Sequence, residues 1–147
     1  MEKNDQKEQK LAEFQDVFQN VFRKLKKQND FFPKTKYNLA DGHILILLYL
    51  SKKGRCTASE VTSYLGITSG GGTVLTSTLF KHHLIDRVRL ESDRRVIQLS
   101  LTEEGKKVVN EVIKQRAEAF IELFRDMKNE EIDQVTNVFK KLDNLLT

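Results

Sequence analysis

Leu11, Phe14, Phe18, Val21, Phe22 and Leu25 recur at steps of three and four, the period of a helix with one apolar face. This stripe predicts an amphipathic helix that ends ahead of Phe31-Phe32-Pro33, where proline stops it. The next apolar stretch, Leu39 to Leu50, is too continuous for a surface helix and closes on Lys52-Lys53-Gly54, so it predicts a buried helix. Thr57-Ala58-Ser59-Glu60 follows. In this capping pattern a Thr oxygen and a Glu carboxylate satisfy the orphan amides of a helix start. A short helix is expected from there to Leu65, a turn at Gly66, and a second helix capped by Thr68 and running to about His82, with Val74, Leu75 and Leu79 facing inward. Two short helices joined by a tight glycine turn form a helix-turn-helix pattern.

Beyond it the period changes. Ile85 to Leu90 and Arg95 to Leu101 are β-prone runs separated by Glu91-Ser92-Asp93-Arg94, and Ile97, Leu99 and Leu101 alternate with more polar neighbours as in a half-buried strand. They predict a hairpin with a charged tip. Thr102 then caps a long helix carrying Val109, Val112, Ile113, Phe120, Phe124 and Met127, expected to end near Asn129. A last helix shows Ile132, Val135, Phe139, Leu142 and Leu146 at helical steps, and both of these helices carry more apolar surface than one chain needs. A helix-turn-helix followed at once by a basic-tipped hairpin is the sequence form of a winged helix. Such a module lays its second helix in the major groove of duplex DNA while the wing reaches an adjacent backbone or minor groove.

Composition narrows the class. The 147 residues are 39% hydrophobic and 31% charged, with one Pro and seven Gly, which describes a globular chain of single-domain size. The longest apolar run, Ile44 to Leu50, is far too short to cross a bilayer, and Met1 to Lys10 carries no apolar export core, so a cytoplasmic protein is expected. One cysteine, Cys56, excludes an internal disulfide. The net charge of +4 is a mild basic bias that permits a nucleic-acid partner.

Leu65-Gly66-Ile67-Thr68, Leu84-Ile85, Asp93-Arg94-Arg95 and Leu99-Ser100-Leu101-Thr102-Glu103-Glu104-Gly105 stand in an order and spacing that resembles the MarR family (multiple-antibiotic-resistance regulators). The Asp-x-Arg wing followed by Leu-Thr-x-x-Gly is the specific part of the match. The resemblance implies a mostly α-helical fold: one domain over 1–147, with the winged helix-turn-helix and its two-stranded β wing at about 39–101. The flanking helices, about 7–32 and 102–147, would interlock with a second copy as a dimerisation region. It also implies a homodimeric repressor on a palindromic operator, released by a small-molecule effector in a cleft that Phe14, Phe18, Tyr37 and Tyr49 would border. No cofactor is implied.

The expected DNA contacts are Ser69, Gly70, Thr73, Thr76 and Ser77 on the second helix of the motif, Lys81 at its end, and Arg87, Arg89, Asp93, Arg94 and Arg95 on the wing. Arg94 or Arg95 would enter the minor groove while Asp93 holds one arginine in place. No charged residue occurs between Val61 and Phe80, a departure from the family, so binding is expected to lean on the wing and on Lys52, Lys53 and Arg55. Gly70-Gly71-Gly72 either lets bare backbone approach a phosphate chain or packs tightly against a neighbouring element.

Cys56 beside Arg55 offers a redox-responsive alternative, with a plain buried thiol as its rival. His43, His82 and His83 raise a metal site, but adjacent residues on a helix diverge by about 100°, and no metal is expected. An enzyme is not expected, for want of a nucleophile with its base or a cofactor loop. A winged-helix module that binds protein instead of DNA remains the other reading, with the uncharged helix as its support.

Overall fold

The computed structural model describes residues 2–28 and 33–146. The order is α1 (Glu2–Gln28), α2 (Asp41–Lys53), β1 (Cys56–Thr57), α3 (Ala58–Leu65), α4 (Ser69–Lys81), β2 (Ile85–Arg89), β3 (Ile97–Leu101), α5 (Glu103–Leu123) and α6 (Asn129–Leu145). The helix stop expected at Phe31-Phe32 lies outside the described residues, and α1 is described to Gln28.

Local chemistry sets most boundaries. Thr57 accepts from the Glu60 amide while the Glu60 carboxylate accepts from the Thr57 amide, the reciprocal cap read in the sequence. Thr68 and Thr102 cap α4 and α5 by accepting from Gly71 and Gly105. Ala40 has no side-chain acceptor to cap α2, and His43 reaches back instead, its Nδ1 accepting from the Ala40 amide at 3.0 Å. Gly66 turns the chain from α3 to α4 in the left-handed region, φ +64°.

The core is Ile44, Ile46, Leu47 and Leu50 of α2 packed with Val61, Leu79, Leu84, Ile85, Leu99 and the first turns of α5, Val108, Val109 and Val112. All of it lies between α2 and the first turns of α5. The sheet has the order β1-β3-β2, both pairs antiparallel, with Arg89 opposite Ile97 at the wing end and Cys56 opposite Leu99. The two-stranded wing expected from the sequence is therefore part of a three-stranded sheet. A strand of two residues leaves no alternation to read.

Two further expectations are corrected. Asn129 begins α6 instead of ending the helix before it; α5 stops at Leu123, with Phe124 in the turn. Val74 does not face inward but stands 68% exposed, while Gly72, Thr76 and Leu79 form the buried side of α4.

The turn after α4 holds a strained residue. His83 has φ +56°, where a side chain is disfavoured, and it is exposed, with its carbonyl accepting from the Thr102 hydroxyl at 2.7 Å. His83→Gly keeps that carbonyl and relieves the backbone, offset in part by glycine's greater freedom when unfolded. The expected gain is about 0.5–1 kcal/mol, seen as a higher urea midpoint at unchanged slope; a lower midpoint would contradict it.

Candidate nucleic-acid interface

The first twelve residues of α4, Ser69 to Phe80, carry no charge, and their geometry sorts them into two sides. A Cβ added at Gly72 would come within 2.2 Å of the Thr62 methyl carbon, so this glycine lets α4 close on α3. At Gly70 the same atom would meet nothing within 4 Å. The two readings of the glycine run thus divide by residue: close packing at Gly72, bare outward backbone at Gly70.

Gly70, Thr73, Val74, Ser77 and Lys81 lie on the outward side at helical steps. The Thr73 hydroxyl donates to the Ser69 carbonyl at 2.9 Å, which leaves its lone pairs outward as an acceptor. Ser77 Oγ accepts from Arg87 at 3.4 Å and keeps its own proton to give. Thr76 is the exception among the residues expected to touch DNA. It is only 5% exposed, and its hydroxyl turns back on the Gly72 carbonyl at 2.9 Å, so it belongs to the core and not to a contact surface. A buried Thr that satisfies its hydroxyl within its own helix costs little, which is why helical spacing alone misplaced it.

The wing tip is built by its own side chains. Asp93 Oδ1 accepts from the Arg95 amide at 3.0 Å and pairs with Arg95 Nε at 3.7 Å. Arg89 donates to the Arg94 carbonyl at 2.8 Å, bracing the tip from the strand. Arg87 lies over the Phe80 ring, 4.6 Å from its centre, and so covers an apolar side chain between α4 and the sheet. Arg95 projects with its side chain 96% exposed, and among the described residues the Arg94 guanidinium has no protein partner. The arrangement exposes two cations at the tip, Arg95 held by Asp93 and Arg94 without a partner among the described residues, with Arg89 and Arg87 engaged behind them.

The four aromatics expected around an effector make separate local contacts among the described residues. Phe14 borders a cleft formed by α1 alone with Gln6, Lys7, Lys10 and Leu11, and it runs into a ladder with Phe18 and Phe22 at 5.9 and 6.2 Å. Tyr49 stacks on Tyr64 at 4.2 Å. Tyr37 donates its hydroxyl to Glu104 at 2.7 Å and tilts against His82 at 5.3 Å. Spacing along the chain carries no information about such distances.

Glu104 also receives Lys36 at 3.0 Å, and the hydrogen bonds from Tyr37 and Lys36 hold its carboxyl below the usual range. This knot ties the segment before α2 to the start of α5. His43 sits beside it; burial, then the nearby His82, pushes its pKa down, favouring the neutral ring that accepts from Ala40.

Cys56 is 2% exposed in β1, and burial followed by the Glu60 charge pushes its thiol up, against the lowering expected from Arg55. An inaccessible, protonated thiol is a poor redox sensor, so the redox-responsive alternative is set aside.

Comparison with known proteins agrees with this architecture. The model for the family "Transcriptional regulator SarA/Rot" matches residues 31–112. The uncharacterized HTH-type transcriptional regulator YpoP of Bacillus subtilis is 26% identical over 136 residues, 92% of this chain and 94% of that one. The HTH-type transcriptional repressor MdtR of the same organism is 27% identical over 135 residues, 92% and 86% of the two chains. The crystal structure of B. subtilis YusO superposes with a TM-score of 0.73 at 27% identity, covering 93% and 96%. A MarR family protein of Bacillus stearothermophilus reaches 0.82 at 21% identity over 95% and 96%, a likeness of fold. No described helix is long and apolar enough to cross a membrane. The chain belongs to the SarA/Rot family of transcriptional regulators, built on the winged helix-turn-helix fold of MarR proteins.

Proposed function

We propose that two copies of this chain bind a palindromic duplex and repress transcription, each copy setting α4 in the major groove and the tip of its wing against the neighbouring minor groove. The observation that carries the reading is the wing tip, where Asp93 pins Arg95 in place while Arg94 beside it has no partner among the described residues. Two cations held at the end of a braced hairpin, next to a helix face of short side chains, suit a phosphate-lined groove better than a protein surface. Lys81 in the last turn of α4 and Arg55, which shares a cleft with Arg87 and Val88, add positive charge. Repression is the role borne by the name of the relative MdtR.

The second copy is called for by the apolar surface left over. α1 buries none of its described side chains, although Leu11, Phe14, Phe18, Val21 and Phe22 run along it, and α6 likewise buries none while showing Ile132, Val135, Phe139 and Leu142. An apolar area on this scale is rare on a monomer, and a two-fold partner matches a palindromic site.

The test is fluorescence anisotropy against a duplex selected by the protein from a random library, across salt, with wild type and Arg94→Ala/Arg95→Ala. Each phosphate contact adds about 0.9 to the slope of log affinity against log salt, so four lost cations per dimer should lower it by up to about 3.6. Affinity should fall on the order of 100-fold at moderate salt. Wild-type binding that ignores salt, or a variant that binds as wild type does, would refute the wing's role. Absence of any duplex binding would leave the uncharged α4 as a protein-docking helix.

A further inference from the structure

The outward face of α4 consists of Gly70, Thr73, Val74, Ser77 and Lys81. Val74 is the most exposed apolar side chain of the helix, whereas Phe80 near its end is covered by Arg87. Val74 is 68% exposed, and its neighbours on that face are a bare backbone, two hydroxyls and a lysine at the far end. The core does not need it, because Gly72, Thr76 and Leu79 supply the buried side of the helix from nearly opposite positions. None of the residues from Ser69 to Phe80 offers the forked donors that read guanine or the amide that reads adenine. Thr73, with its proton committed to Ser69, and Ser77, with one acceptor site taken by Arg87, offer hydroxyls that discriminate bases less sharply than those forked groups.

The floor of the major groove presents one apolar feature, the C5-methyl group of thymine. We propose that Val74 contacts the C5-methyl of a thymine in each half-site and is the chief base-discriminating residue of α4. The inference rests on the reading of α4 as the groove-entering helix given above. The short side chains around Val74 favour it. A helix about 10–12 Å across enters a groove about 12 Å wide deeply only when its flanks are small, and here Gly70, Thr73 and Ser77 leave Val74 protruding toward the base edges. A methyl contact also explains how a helix without charge or amides discriminates among sequences. Affinity then comes from the wing cations with Lys81 and Arg55, and selectivity from the fit of one valine.

The experiment uses the duplex selected by the wild-type protein and replaces its thymines, one symmetric pair at a time, with deoxyuridine, which pairs identically and lacks only the methyl. Wild type and Val74→Ala are compared by anisotropy at fixed salt. Val74 is exposed and alanine is the stronger helix former, so the variant should fold, which a thermal melt checks. At one thymine pair the wild type should lose about fourfold in affinity per half-site, about fifteenfold for both, while Val74→Ala binds the two duplexes equally. The proposal is overturned if deoxyuridine weakens wild type nowhere, or if the penalty persists undiminished in Val74→Ala. Salt-dependent binding without such coupling overturns this inference alone. Absence of salt-dependent binding overturns the reading of α4 beneath it as well.

Discussion

Gly105→Ala should destabilise the protein by about 3 kcal/mol and lower its melting temperature by roughly 9 °C at fixed protein concentration. Gly105 lies in the first turn of α5, where its amide donates to the capping Thr102 hydroxyl at 3.0 Å. A Cβ at this position would stand 2.0 Å from the Leu84 carbonyl oxygen and 3.0 Å from its carbon. That oxygen accepts from the Thr102 amide at 3.1 Å, so it cannot retreat without breaking the bond that joins the end of β3 to the turn after α4. The obstacle is backbone, and no rotamer change relieves it. Alanine's better helix propensity recovers only up to about 1 kcal/mol. Gly70→Ala is the control, since its new methyl meets open space and should leave the melting temperature unchanged or slightly raised. Equal melting temperatures for wild type and Gly105→Ala would mean that the approach of α5 to Leu84 is looser than described.

Phe139→Asp should turn the proposed dimer into a monomer. Phe139 is 53% exposed near the middle of the apolar face of α6, and two-fold symmetry would place two carboxylates in the interface for each substitution. Burying unpaired charges is costly enough to weaken association by at least about 100-fold. Sedimentation velocity at a concentration where wild type is dimeric should show the monomer, and anisotropy with the selected duplex should show a parallel loss of binding. Phe18→Asp on α1 should give the same result if both terminal helices lie in the interface. A Phe139→Asp protein that sediments as wild type does would remove α6 from the interface.

Much of the fold was legible because its boundaries are set locally. Thr57, Thr68 and Thr102 each cap the helix that the sequence pattern assigned to them, and Gly66 makes the left-handed turn between α3 and α4. The hairpin was legible from a change of period between Ile85 and Leu101. Where several residues of one helix compete for the core, the pattern was less informative. Val74 reads as apolar and therefore inward, yet Leu75 beside it is the one turned toward α2, within reach of Gly42. Thr76 reads as polar and therefore outward, yet it satisfies its hydroxyl on the Gly72 carbonyl.

The candidate site divides in the same way. Asp93 was expected to hold one of the two arginines beside it, and the pair formed is with Arg95, two residues on. The support of the tip by Arg89 and the cover of Phe80 by Arg87 depend on strand register, which the sequence does not fix to the residue. The aromatic quartet is illegible for a related reason: Phe14 and Tyr49 share no element, and only the tertiary fold sets their distance.

The most direct test of a symmetric dimer reading a duplex with its helices and wings is hydroxyl-radical footprinting on the selected duplex. The account predicts two equivalent protected segments whose centres are about one helical turn apart, each flanked by wing protection that disappears in Arg94→Ala/Arg95→Ala while central protection persists at raised protein concentration. A single asymmetric segment, or flanks unchanged in the variant, would contradict it.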